Sequence, residues 1–140
     1  MDNEIVIKTD GDAGNDVKFV YKLCGGVRDI DIIPGGRSNV LFTGVVNLAG
    51  ALTITNAALV EVSNTFAAAA FTQTAGGTST IFDNNTVTAG AFDFNGTVLT
   101  LSGATNTAAT MTITNSGQFT TGDAAIVVLA GAIIQDSAVF

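Results

Sequence analysis

Between Ala51 and Phe140 one short pattern keeps returning: ALTITNA at 51, AFTQTAG at 70, AFDFNGT at 91, TMTITNS at 110 and AIIQDSA at 132, at spacings of 19, 21, 19 and 22 residues. A step of small residues precedes each copy, ending at Gly50, Ala69, Gly90, Ala109 and Gly131, so the period is marked in two registers. Self-similarity at this period, with apolar and polar residues alternating inside each unit, constrains the chain to a solenoid in which each coil is one layer of stacked strands. Composition agrees. Hydrophobic residues make up 47% of the 140, but Ala, Gly, Thr and Asn are prominent in the repeats, which favours strand and turn over helix.

Three strand-like pieces fit each coil. The first is ALTIT, AFTQT, AFDFN, TMTIT and AIIQD. The second is VLFTG at 40, ALVEV at 58, TSTIF at 78, TVLTL at 97 and GQFTT at 117. The third is VVNLAG, NTFAAA, NTVTAG, ATNTAA and AIVVLAG. Side chains alternate across a strand, so Leu52, Phe71, Phe92, Met111 and Ile133 are expected to stack inward, joined by Ile54, Phe94 and Ile113. Gln73 and Gln135 interrupt that second column, and the Thr53/Thr55, Thr72/Thr74, Asp93/Asn95 and Thr112/Thr114 pairs face outward. Asn56, Asn95 or Gly96, and Asn115 fall at the following turn, where a tight or left-handed backbone suits them. The expected architecture is an all-β, triangular parallel β-helix (solenoid) of about five rungs over residues 29–140.

Residues 1–28 have a different character. EIVIKT and VKFVYKL alternate on either side of the turn-rich DGDAGND, which predicts a hairpin, or a pair of strands with a long connection, capping the open first coil over residues 1–28. Ile30, 21 residues before Ala51, then opens a partial rung with IDII, and Pro34, the only proline, stops that strand for want of an amide donor. The last residues, Ala138, Val139 and Phe140, carry no polar cap and are candidate assembly residues, whether the natural chain continues or docks on a neighbour. The N-terminus has no basic segment followed by an apolar run, so the sequence reads as a mature form, an excised piece or a protein exported by another route.

All five basic residues lie in the first 37 positions. The remainder holds Glu61, Asp83, Asp93, Asp123 and Asp136, so -5 of the net charge of -7 belongs to the repeats and -2 to the first segment. A rod without cations cannot neutralise phosphates, so nucleic acid and anionic lipid are unsuitable partners, and no apolar stretch is long enough for membrane insertion. With one cysteine, Cys24, no intrachain disulfide is possible, and the ordinary expectation for such a thiol is burial as a small hydrophobe.

Catalysis is not expected. The carboxylates of the repeats fall in different coils, with no His, Lys or Arg beside them, whereas glycosidases need two carboxyl groups facing each other across a bond. DGDAGND gathers Asp10, Asp12, Asn15 and Asp16, enough oxygen for calcium, although its sixth and twelfth positions hold Asn15 and Tyr21 where a helix-loop-helix site needs Gly and Glu. An unliganded turn is the preferred account of the same residues, with calcium as the alternative. The Thr-x-Thr pairs suggest an ice-binding array, but Asp93, Asn95 and Asp136 interrupt it, and ladder stabilisation explains the pattern.

Phrases such as GVVNLAGALTITN, GTVLTLSGATN and MTITNSGQFTTGD resemble the passenger repeats of bacterial autotransporters and of filamentous-haemagglutinin-type surface proteins, over about residues 30–140. The resemblance implies a right-handed parallel β-helix exposed as an extracellular, cell-surface stalk, adhesin or layer; apart from the calcium option no cofactor is expected, and the expected partners are neighbouring chains, copies of itself or a host surface ligand. A filament subunit stacking end to end through open coils is the alternative.

Overall fold

The computed structural model of the chain describes residues 4–9, 15–35, 38–83, 87–103, 105–122 and 126–137. Within them the backbone forms fourteen strands: β1 (Glu4–Lys8), β2 (Val17–Phe19), β3 (Leu23–Gly25), β4 (Asp29–Ile33), β5 (Asn39–Phe42), β6 (Val46–Leu48), β7 (Ala51–Thr55), β8 (Leu59–Val62), β9 (Phe66–Phe82), β10 (Val87–Leu101), β11 (Thr105–Asn115), β12 (Phe119–Thr121), β13 (Ile126–Leu129) and β14 (Ile133–Ser137). Every strand pairing is parallel, and each joins a residue to its counterpart about twenty positions on. β9, β10 and β11 are long because they run round corners without losing their ladder and so serve two or three faces in turn.

The result is a β-solenoid with three faces. The first stacks β1, β4, β7, the middle segments of β9 and β10, the second half of β11, and β14. The second stacks β2, β5, β8, the ends of β9 and β10, and β12. The third stacks β3, β6, the beginnings of β9, β10 and β11, and β13. From Asp29 onward there are five full coils, as the period predicts.

The column expected to run through the first face does so. Leu52 pairs with Phe71, Phe71 with Phe92, Phe92 with Met111, and Met111 with Ile133. All but Ile133 are buried, and Ile54, Phe94 and Ile113 are buried beside them; Ile133, in the last coil, is stacked but 50% exposed. Val40, Val60 and Leu99 line the second face, with Phe42, Val62, Phe82 and Leu101 in the adjoining column, while Val46, Phe66 and Val87 line the third. One phenylalanine from each face meets at the centre. The rings of Phe66, Phe71 and Phe82 lie 5.4 to 5.6 Å apart, edge to face, and Phe92 stacks obliquely on Phe71 at 4.9 Å. Edge-to-face contacts set the positive rim of one ring against the negative face of the next, which suits three side chains converging from three directions.

Of the two arrangements expected of residues 1–28, a hairpin or a pair of strands with a long connection, the described residues form separate strands and no hairpin pairing. β1, β2 and β3 pair in parallel with β4, β5 and β6 of the next coil, so this segment is itself a coil at the end of the stack. The alternation of EIVIKT and VKFVYKL is common to hairpin strands and solenoid strands and does not tell them apart. The register of the next coil also differs by one residue. Ile30 pairs with Leu52, a step of 22, because pairing it with Ala51 would turn Ile30 and Ile32 outward and drive Asp31 into the core. β4 ends at Ile33, directly before Pro34, as the missing amide requires.

Corners absorb the uneven spacing. Between Phe94 and Gly96 the β10 register against β9 shifts, leaving β9 two residues longer there. Of the asparagines expected at left-handed corners, Asn56 has φ 65°, and it is the one non-glycine residue with positive φ among those described. Asn115 instead turns inward and donates from Nδ2 to the carbonyl of Gly117 at 2.6 Å. At the third corner Gly90 lies so close to the coil beneath that a Cβ would stand 2.1 Å from the carbonyl oxygen of Ala69. No side chain fits without opening the corner.

Candidate functional site

On the first face, alternation leaves one column of polar side chains between the buried columns: Asp31 opposite Thr53, Thr53 opposite Thr72, Thr72 opposite Asp93, and Asp93 opposite Thr112. In the next outward column Thr74 donates its hydroxyl to Oγ1 of Thr55 at 3.1 Å, a contact between coils of the kind that stabilises a ladder. Asn95 and Thr114 continue that side of the face to Asp136.

A shallow polar groove of about 350 Å³ opens at the corner beyond them, lined by Asn95, Gly96, Thr97, Thr114, Asn115, Ser116 and Asp136. Three successive coils contribute to it, and Asp136 supplies its one carboxylate. The sequence carried a signal for it in Asn-Gly and Asn-Ser, which follow the first strand in successive repeats, but only stacking shows that those corners line up beside Asp136.

The acidic residues of the repeats do not converge. Glu61 lies on the second face and accepts from the Ser63 hydroxyl at 3.0 Å, while Asp83 sits at a corner and accepts from Ser102 Oγ at 2.9 Å. Asp93 occupies the first face, and Asp136 lies two coils further along it in the adjacent outward column. Asp123 lies outside the described residues. Two carboxylates with a sugar ring between them, the arrangement glycoside hydrolysis needs, are not formed by those described here.

Of the four residues proposed for calcium, Asp10 and Asp12 lie outside the described residues. Asn15 is exposed. Asp16 is occupied in another way: its Oδ1 accepts from the backbone amide of Asn39 at 2.9 Å, and its Oδ2 stands 3.8 Å from Lys18 Nζ. That contact ties the start of β2 to the start of β5 in the next coil. Asp29 does the same at the following corner, where its Oδ1 accepts from the Ala51 amide at 2.7 Å. Ala138, Val139 and Phe140 also lie outside the described residues.

Cys24 is exposed, against the expectation of burial. It is the middle residue of β3, whose flanking Leu23 and Gly25 take the inward positions, so alternation sends the thiol outward opposite Asn47. The general tendency of free cysteine to be buried gives way here to the parity of a strand one side chain wide.

The interior also holds a polar inclusion. Gln73 is 1% exposed and Thr80 fully buried, and the Thr80 hydroxyl donates to Gln73 Oε1 at 2.5 Å, leaving Gln73 Nε2 without a partner. The sequence marked Gln73 as a break in an apolar column. Its partner on another face was not legible, because Thr80 reads there as one more alternating threonine. Comparison with protein-family models, with curated protein sequences and with solved structures returns no match for this chain.

Proposed function

We propose that this chain is a non-enzymatic structural and adhesive element of a bacterial cell surface, a short stiff rod that holds a contact surface outward. The observation that carries the reading is the unbroken parallel register of the first face, from Ile5 in β1 to Ile133 in β14, over a core filled by phenylalanine and aliphatic side chains. Each coil is held by its neighbours along its whole length, so bending the rod breaks many backbone hydrogen bonds at once. The absence of Lys and Arg after Arg37 also removes the cleavage sites of trypsin from the repeats. Six stacked coils at the usual strand spacing of about 4.8 Å give a body roughly 30 Å long.

The test has two parts. Electron microscopy and limited trypsinolysis of the purified protein should show a short rod that trypsin trims only within its first 37 residues, and glycan and cell-binding arrays should yield binding without turnover. Hydrolysis or elimination of a polysaccharide would overturn the reading.

A second reading, a subunit that stacks end to end, is favoured by one observation. Among the described residues, the large apolar ones left exposed, Ile5, Val6, Val20, Tyr21, Val27, Val128, Ile133 and Ile134, all belong to the first coil and its corner or to the last coils.

A further inference from the structure

We infer that the polar groove at the corner of the first face holds a single neutral sugar ring; the inference names a ligand class for the adhesive reading and rests on it. Three successive coils build the groove: Asn95, Gly96 and Thr97 belong to β10, Thr114, Asn115 and Ser116 to β11 and the corner after it, and Asp136 to β14. Asn95 lies opposite Thr114, and Thr114 opposite Asp136. These side chains stand outward, because alternation turns Phe94 and Ile113 beside them into the core. The groove therefore opens on the flank of the rod, and the ladder sets its polar groups at a spacing of about 4.8 Å before any ligand arrives. Groups already held in place lose little freedom on binding.

The lining selects by its chemistry. No lysine or arginine follows Arg37, so a phosphate, sulfate or uronate entering here meets only the Asp136 carboxylate, which repels it. Neither an aromatic ring nor an aliphatic side chain lines the groove, which disfavours an apolar ligand. One carboxylate among neutral oxygens is too little charge to hold calcium tightly. What remains is a mixed set of donors and acceptors: the Asn95 amide, the hydroxyls of Thr97, Thr114 and Ser116, and the carboxylate. Sugar hydroxyls donate and accept at once and match such a set. Asn115 adds a fixed group to the lining: it is 3% exposed, its Nδ2 is taken by the Gly117 carbonyl at 2.6 Å, and among the described residues its Oδ1 has no partner. A buried acceptor left open is costly, and a ligand hydroxyl seated against it relieves that cost. The volume of about 350 Å³ suits one ring and not an oligosaccharide. One ring in so open a groove binds with a dissociation constant of about 1 mM, as a ligand of about a dozen non-hydrogen atoms does at ordinary efficiency.

The experiment titrates the full chain with the methyl glycosides of glucose, galactose, mannose and N-acetylglucosamine, read by saturation-transfer NMR, and measures cell binding on the same samples. At least one glycoside should show transfer that EGTA leaves unchanged. Asp136→Asn and Thr114→Val should each weaken it about tenfold or more, with unchanged circular dichroism, whereas Thr53→Val, on the same face outside the groove, should leave it intact. Transfer from none of the four overturns the sugar site, and transfer that ignores both groove variants overturns its placement here. Transfer abolished by EGTA overturns the direct contact in favour of a metal ion. In each of these cases cell binding that persists leaves the adhesive reading in place, and its absence from the parent protein overturns that reading as well.

Discussion

Phe71→Ala and Ile133→Ala test whether the interior column is a continuous core that opens only at its end. Both residues occupy the same column, three coils apart with Phe92 and Met111 between them, and they differ in surroundings: Phe71 is fully buried, Ile133 half exposed. Phe71 touches three rings, those of Phe66 at 5.6 Å, Phe82 at 5.5 Å and Phe92 at 4.9 Å, contributed by all three faces. Truncating it removes the ring and leaves a cavity that β-strands pinned above and below cannot collapse into, which places the cost near the usual range for buried phenylalanine, about 3–5 kcal/mol. A domain of this size has roughly 7–21 kcal/mol of total stability, so the change removes a substantial part of it. Ile133 buries about half of a side chain worth about 1.5–3 kcal/mol, so its truncation should cost about 1 kcal/mol. With a urea dependence of about 2 kcal/mol per molar, the midpoints should fall by roughly 2 M and 0.5 M respectively. Urea denaturation followed by circular dichroism, with hydrogen exchange to locate the loosened coils, measures both. Equal shifts for the two variants, or a shift under about 0.5 M for Phe71→Ala, would refute the stacked-core reasoning.

Gly90→Leu should lower the melting temperature without selectively affecting any binding activity, because its Cβ collides with the carbonyl of the coil below; an unchanged melt would count against the corner. Thr80→Val strands Gln73 Oε1 in the core and should cost about 1–3 kcal/mol, whereas Thr80→Val with Gln73→Leu removes both polar groups and should recover most of it, as read by a double-mutant denaturation cycle. Asp16→Ala removes the acceptor for the Asn39 amide and should cost about 1 kcal/mol in urea denaturation. If DGDAGND also holds calcium, EGTA should lower the melting temperature of the parent protein; a chelator-insensitive melt would dispose of that site.

The sequence by itself determined the period, the three strands per coil and the identity of the buried columns, because parity inside a strand and repetition between coils are both one-dimensional patterns. Leu52, Phe71, Phe92 and Met111 could be assigned to one stack from spacing alone. Tertiary structure decided whatever depends on which edge meets which. The first 28 residues alternate as a hairpin would, and only their parallel pairing with β4 to β6 makes them a coil. Cys24 could not be placed until β3 fixed its parity, nor could Thr80 be joined to Gln73, since the two lie on different faces and meet only where the faces enclose the core. A strand's own alternation says which side chains share a side, but the neighbour that covers that side is chosen by the closure of the coil.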